Sequence, residues 1–217
     1  MPSRQHQKFP NFFQVEHPLI SSKLTLLRDK TTNQKLFREL VHEITLLLAY
    51  EATQTLPIKE VEIQTPMEKT LCHTLAGLDP VILPILRAGI GMVDALSSLL
   101  PQAKVGHIGL FRNERTLLPE NYYFKIPEDS DKRRFFVCDP MLATGGSAIS
   151  AMAALKERGV TDITFLCVLA VPEGVSAMLK HHPDVKIYSA SMDRQLNDQA
   201  YILPGLGDAG DRLFGTH

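Results

Sequence analysis

Asp139, Thr144, Gly145, Gly146 and Ser147 stand close together in the run Phe135-Phe-Val-Cys-Asp-Pro-Met-Leu-Ala-Thr-Gly-Gly-Ser. A carboxylate can bind sugar hydroxyls. Two hydroxyls beside two glycines can hold a phosphate, because the glycines let main-chain N–H groups come close. The order is an apolar strand, a loop of small residues, then a helix-prone stretch from Ser147 to Arg158. That order sets a helix start, with its free amides and favourable dipole, where an anion can sit. Neither a Gly-x-Gly-x-x-Gly run nor a Gly-x4-Gly-Lys-Ser/Thr run is present, so dinucleotide and P-loop sites are unsupported. The carboxylate-then-hydroxyl spacing suits a sugar phosphate. A glycine-rich turn that holds no ligand remains an alternative for this segment alone.

Two arginines stand in comparable places. Arg87 follows the apolar run Val81–Leu86, and Arg112 follows Val105–Phe111. Both should project from the carboxyl edge of a sheet, where ligands gather in open α/β folds. Guanidinium groups suit several phosphate oxygens at once. The tail from Tyr201 to His217 holds Gly205, Gly207, Gly210 and Gly215, with Asp208 and Asp211 between them. It reads as neither helix nor strand. As an ordered loop it could line a pocket whose ligand bonds to main-chain atoms; the alternative is a frayed terminus.

The elements that must carry these groups alternate. Residues 1–14 read as a loose arm. Asn33–Thr53 reads as an amphipathic helix, with Leu36, Leu40, Ile44, Leu47, Leu48 and Glu51 on a 3.6-residue period. Beyond two short segments (61–64 and 65–76), apolar strands are expected at 81–86, 105–111, 135–138, 163–171 and 185–190, with helices between them. Tyr122–Ile126 is a further strand candidate, and Pro84 is awkward for a central strand. Near-continuous apolar strands alternating with helices point to a parallel sheet covered on both faces.

Composition narrows the function classes. The 217 residues are 44% hydrophobic and 22% charged, with a formal net charge of −1. That balance gives no electrostatic case for nucleic-acid binding. No apolar stretch is long enough to span a membrane, no leader pattern is seen, and a cytoplasmic location is expected. Cys72, Cys138 and Cys167 are expected as reduced thiols. The eight histidines show no metal-ligand spacing.

Taken together, several strings resemble uracil phosphoribosyltransferase, a type I phosphoribosyltransferase family. They are His17-Pro-Leu, Phe37-Arg-Glu-Leu, Tyr50-Glu-Ala-Thr, Pro84-Ile-Leu-Arg-Ala-Gly, Arg112-Asn-Glu-Arg-Thr, Asp139-Pro-Met-Leu-Ala-Thr-Gly-Gly-Ser, Pro172-Glu-Gly and Gly205-Leu-Gly-Asp-Ala-Gly-Asp. The resemblance runs from His17 to the C-terminus. It implies one phosphoribosyltransferase domain over residues 1–217: a twisted, mostly parallel sheet with helices on both faces. A small hood would come from N-terminal and C-terminal segments. The implied reaction joins uracil to phosphoribosyl pyrophosphate, giving uridine monophosphate and pyrophosphate. Magnesium would be carried mainly by the phosphoribosyl pyrophosphate.

The resemblance also implies residue roles. Arg87, Arg112, Asp139, Pro140, Met141, Leu142, Ala143, Thr144, Gly145, Gly146, Ser147 and Asp208 would bind phosphoribosyl pyrophosphate. Ile202, Gly207, Asp208 and Ala209 would bind uracil, and Arg112 and Asp208 would serve catalysis. Asn113–Asn121 would be a lid. Related transferases carry two adjacent acidic residues after the strand, whereas here Asp139 is followed by Pro140. One carboxylate is left for the ribose hydroxyls, and no protein ligand to the metal is expected. A homodimer or higher homo-oligomer is implied, as is a guanosine triphosphate effector that only some relatives share. Competing readings are another base within the same fold, a pyrimidine-sensing RNA-binding regulator, and an inactive relative. Orotate would call for a cation that Tyr201–Ala209 lacks, the regulator for a basic face, and decay for loss of Arg87, Arg112, Asp139 or Asp208.

Overall fold

The computed structural model describes residues 4–112 and 119–216. In chain order the strands are β1 (Arg4–His6), β2 (Phe9–Gln14), β3 (Ile58–Gln64), β4 (Lys69–Leu75), β5 (Val81–Leu86), β6 (Lys104–Val105) and β7 (His107–Arg112). They continue with β8 (Pro119–Lys125), β9 (Phe135–Cys138), β10 (Met141–Leu142), β11 (Ile163–Ala170), β12 (Lys186–Met192), β13 (Gln195–Leu196) and β14 (Ile202–Leu203). The helices are α1 (Pro18–Arg28), α2 (Gln34–Ala52), α3 (Val93–Leu99), α4 (Gly146–Lys156), α5 (Pro172–His181) and α6 (Ala209–Phe214).

The central sheet runs β1-β2-β12-β11-β9-β5-β7-β8, with β10 added on β11 and β6 on β5. Every pairing from β2 across to β7 is parallel, and only the outer pairs β1–β2 and β7–β8 are antiparallel. The expected type I phosphoribosyltransferase architecture is therefore present. Its physical basis is the period of two along each strand. Ile82, Phe136, Cys138, Leu166 and Val168 face one side and meet α1, α2 and α6. Val81, Leu83, Phe135, Val137, Phe165 and Cys167 face the other and meet α4 and α5. A strand buried on both faces has no polar side to show.

Helix α2 starts where Asn33 accepts the Leu36 N–H at 3.0 Å. Its buried stripe is Phe37, Leu40, Val41, Ile44 and Leu48. Leu36 and Leu47 flank that stripe. Pro84 does lie in the centre of β5. It falls where the ladder toward β6 and β7 is interrupted between residues 105 and 107, so its missing N–H costs little there.

Three expectations need correction. Residues 4–14 form no loose arm: β2 extends the parallel sheet through Phe12 opposite Ile187, and β1 folds back on it. Phe12 is fully buried and Phe13 stacks on Tyr188 at 4.9 Å, so aromatic burial holds the segment down. The strand expected at Tyr122–Ile126 is β8, which begins at Pro119 and pairs with β7 as far as Arg112. Residues 119–121 of the expected lid thus belong to a hairpin, and 113–118 lie outside the described residues. The tail contains β14 and the short helix α6. Asp208 caps α6 by accepting the Asp211 N–H at 2.9 Å, and Gly215 ends it with φ 70°. Among the described residues no helix is long and apolar enough to cross a membrane.

Candidate active site

Parallel strands aim their carboxyl ends at one rim, and the site is built along it. At the end of β9, the main chain of Asp139 stays tied to the sheet through its N–H to Leu166 O, 3.1 Å. The carbonyl of Pro140 accepts from both Val168 and Leu169, at 2.9 and 3.0 Å. β10 then pairs with the last two residues of β11. The loop is therefore framed by main-chain bonds before it turns into α4. Gly145 makes that turn with φ 85°. Thr144 Oγ1 accepts the Gly146 N–H at 3.4 Å, and the side chains of Thr144 and Ser147 face solvent.

Close packing behind the loop comes from α5. A Cβ on Gly174 would run into the carbonyl oxygens of Ala143 and Leu142. The Pro172-Glu-Gly string thus has a steric reason: it lets the loop lie against the start of α5. Glu173 adds a tie by accepting the Leu196 N–H at 3.2 Å.

The tail lies across the same rim. A cavity of about 360 Å³ is lined by Asp139, Met141 and Ala143 on the loop side, Ala88 beside β5, and Gln199–Ile202 with Gly207–Gly210 on the tail side. Ile202 and Ala209 are buried, while Gly207 and Asp208 are exposed. Burial pushes the Asp139 carboxyl up to about 7. The Met141 N–H, donating at 3.3 Å, opposes that rise, and the negative charge of Asp208 adds to it. Two carboxylates facing one cavity make a site that welcomes cations and sugar hydroxyls.

Arg87 stands at the rim rather than in the cavity wall. It is 62% exposed, with Asp211 Oδ1 3.9 Å away on α6. Arg112 ends β7, and its side chain lies outside the described residues. Of the expected loop residues, Asp139, Met141 and Ala143 line the cavity, and Thr144, Gly145, Gly146 and Ser147 lie at the α4 start beyond it. Pro140 and Leu142 point elsewhere. Both are buried, and Leu142 belongs to the core under α4 and α5. All four expected base-binding residues, Ile202, Gly207, Asp208 and Ala209, share the cavity with Asp139.

Sequence reasoning missed Gln199, Ala200 and Gly210. The first two sit in a turn in which Asn197 Oδ1 accepts the N–H groups of Gln199 and Tyr201, at 3.0 and 2.8 Å. Leu196-Asn-Asp was a legible turn signal. Nothing local foretold that Ala200 would adopt φ 63°. Among the described residues no group of three His, Cys, Asp or Glu could hold a metal. Asp139 and Asp208 fit a hard, oxygen-seeking cation only if its remaining ligands come from substrate and water.

Comparison with known proteins places the chain in one family. A family profile described as uracil phosphoribosyltransferase matches residues 14–216. A uracil phosphoribosyltransferase from Enterococcus faecalis is 57% identical over 202 residues, covering 93% of this chain and 97% of that protein. One from a Geobacillus strain is 59% identical over 201 residues, covering 93% and 96%. Among solved structures, a protein from Aquifex aeolicus superposes with a TM-score of 0.88 at 34% identity, covering 94% of this chain and 98% of that one. Adenine phosphoribosyltransferase from Trypanosoma brucei superposes at 0.59 with 12% identity, covering 96% and 92%, a likeness of fold alone.

Proposed function

The chain belongs to the uracil phosphoribosyltransferase family and is a pentosyltransferase, and we propose that it joins uracil to phosphoribosyl pyrophosphate in the cavity between Asp139 and the tail. The products are uridine monophosphate and pyrophosphate. The observation that carries this reading is the shared cavity: the sheet-framed loop and the glycine-rich tail meet around it.

The 5′-phosphate would lie on the amides of Ala143–Ser147 at the start of α4, with Thr144 and Ser147 hydroxyls assisting. Asp139 would accept the ribose hydroxyls. Asp208 would face the ribose from the opposite wall and stabilise positive charge as the anomeric bond loosens. Arg87 and Arg112 would bind the leaving pyrophosphate, and the segment Asn113–Asn121 would shield the sugar from water. Magnesium, when bound with the substrate, neutralises pyrophosphate charge; Asp139 and Asp208 are the carboxylates available to it. Displacement at the anomeric carbon needs no covalent nucleophile, so positioning and charge stabilisation supply the acceleration.

Uracil presents acceptor, donor and acceptor along O2, N3–H and O4. Main-chain groups of Ile202 and Gly207–Ala209 can complement that edge. Cytosine lacks the N3 proton and carries an amine in place of O4, so it would strand buried polar groups. Orotate would bring a carboxylate toward a wall with no basic side chain. Arg212, the nearest basic residue in the tail sequence, is spent on the carbonyls of Leu27, Leu206 and Asp29.

The whole chain would act as one domain, with the hood drawn from its N-terminal and C-terminal segments. Further proposals are a homo-oligomer of two or more copies, a guanosine triphosphate effector and a cytoplasmic location. Purified protein, magnesium and phosphoribosyl pyrophosphate, mixed in turn with uracil, cytosine or orotate, test the assignment. Uridine monophosphate should form with uracil, with cytosine and orotate left unchanged. No nucleotide with uracil would end the reading.

A further inference from the structure

The tail that walls the cavity is held by two charged side chains that do not touch the cavity themselves. Asp193 follows β12, and its main-chain N–H donates to Ala170 O at 2.7 Å, fixing it to the end of β11. Its side chain, 3% exposed, accepts the Gly205 N–H at 2.9 Å. Arg28 closes α1. It donates to both Asp193 carboxylate oxygens, at 2.6 and 2.7 Å, and to the Gly205 carbonyl at 2.9 Å. Gly205 is therefore gripped at its N–H and its C=O by one ion pair. Ser191 Oγ steadies that pair by donating to Asp193 Oδ1 at 3.0 Å.

This arrangement is poorly suited to a general stabilising role. Burying the Asp193 carboxylate and drawing most of Arg28 out of water offsets much of what their attraction returns. What a two-pronged guanidinium–carboxylate pair does supply is fixed geometry. The geometry fixed here is that of a glycine at φ 63°, which stands between the two stretches of tail that line the cavity, Gln199–Ile202 and Gly207–Gly210. Among the described residues no equivalent device touches the loop after β9, which is framed by main-chain bonds to β11.

We propose that Arg28 and Asp193 are positioning residues for the pyrimidine base, holding Gly205 so that the main-chain groups of Ile202 and Gly207–Ala209 meet uracil in register. The inference rests on the reading that uracil occupies this cavity. Asp193→Asn keeps the shape and loses the charge. Arg28→Lys keeps the charge and loses the fork.

Both variants are compared with the unaltered protein in the uridine monophosphate assay, varying uracil and phosphoribosyl pyrophosphate separately. Each should raise the uracil KM about 10-fold or more, while the KM for phosphoribosyl pyrophosphate stays within about 2-fold. A merely structural role would move both constants together or lower the active fraction alone, and either result overturns the proposal. So does a uracil KM that does not move. Should Asp193→Asn lose its cooperative melt, Arg28→Lys decides by the same criterion; if both do so, the pair is a folding requirement and the proposal is overturned. Failure of the unaltered protein to make the nucleotide would strike the functional reading instead, so the two failures are distinguishable.

Discussion

The loop after β9 and the glycine-rich tail face each other across one cavity, yet they are held by different means. Residues 139–147 follow a central strand, and main-chain bonds to β11 frame them within a few residues of that strand. Residues 201–210 come from the far end of the chain and are fixed by side chains of Arg28, Asp193 and Arg212, with Arg212 stacked on Phe37 at 4.3 Å. The first region rests on the sheet beneath it and on the start of α5, where Gly174 lets it pack closely. The second depends on partners up to 177 positions away. A group common to many substrates can sit on a generic turn, whereas a particular base needs a wall tuned by distant contacts.

Substitutions at the glycines break the contrast most sharply. Gly205→Ala meets both a left-handed backbone and the Ile202 carbonyl, against which its Cβ would press. It should cost about 2–4 kcal/mol of stability, read from denaturant melts. kcat/KM for uracil should fall about 100-fold or more. Gly174→Ala does the corresponding harm to the other wall by pushing on the Ala143 carbonyl. Here the loss should appear as about a 10- to 100-fold rise in the KM for phosphoribosyl pyrophosphate, with the uracil KM nearly unmoved.

Subtler changes sharpen the same contrast. Thr144→Val keeps the volume and deletes one hydroxyl beside the α4 start. Steady-state kinetics should show a loss of about 10-fold in affinity for phosphoribosyl pyrophosphate, the worth of one hydrogen bond to a charged group. The last test reads a pH dependence. Asp139 is raised from its ordinary value of 3.8 to about 7, so below neutrality the folded protein holds a proton that the unfolded chain has lost. Stability from this group therefore falls as pH rises from about 4 to about 7 and stays reduced above it. Asp139→Asn removes the dependence. Its melting temperature relative to the unaltered protein should be higher at pH 8 than at pH 4.5, and an unchanged difference would contradict the buried-carboxylate account.

These contrasts explain which parts of the molecule are legible in its sequence. Strands β5, β9 and β11 announced themselves because burial on both faces leaves an unbroken apolar run. The loop after β9 was legible because strand, small residues and helix are consecutive. β2 was hidden, since Pro10 and Asn11 interrupt its apolar pattern and it owes its place to β12. Helix α6 is too short to display a period, and its three flanking glycines mask the cap at Asp208. The grip of Arg28 and Asp193 on Gly205 joins three distant segments, and no local pattern records such a meeting. Tail residues around the cavity were found by resemblance, and their neighbours Gln199 and Ala200 only by the fold.

The antiparallel flap formed by the first described residues has a practical meaning. By covering Ile187–Ser189, β2 keeps an apolar parallel strand from ending the sheet in open water, and β1 in turn shortens the border that β2 presents. A chain trimmed to start at Val15 would bare the hydrogen-bonding groups of Ile187–Ser189, an invitation to stack with another trimmed copy. Shortening the amino terminus to aid crystallisation would therefore trade a well-behaved solution for a sticky one.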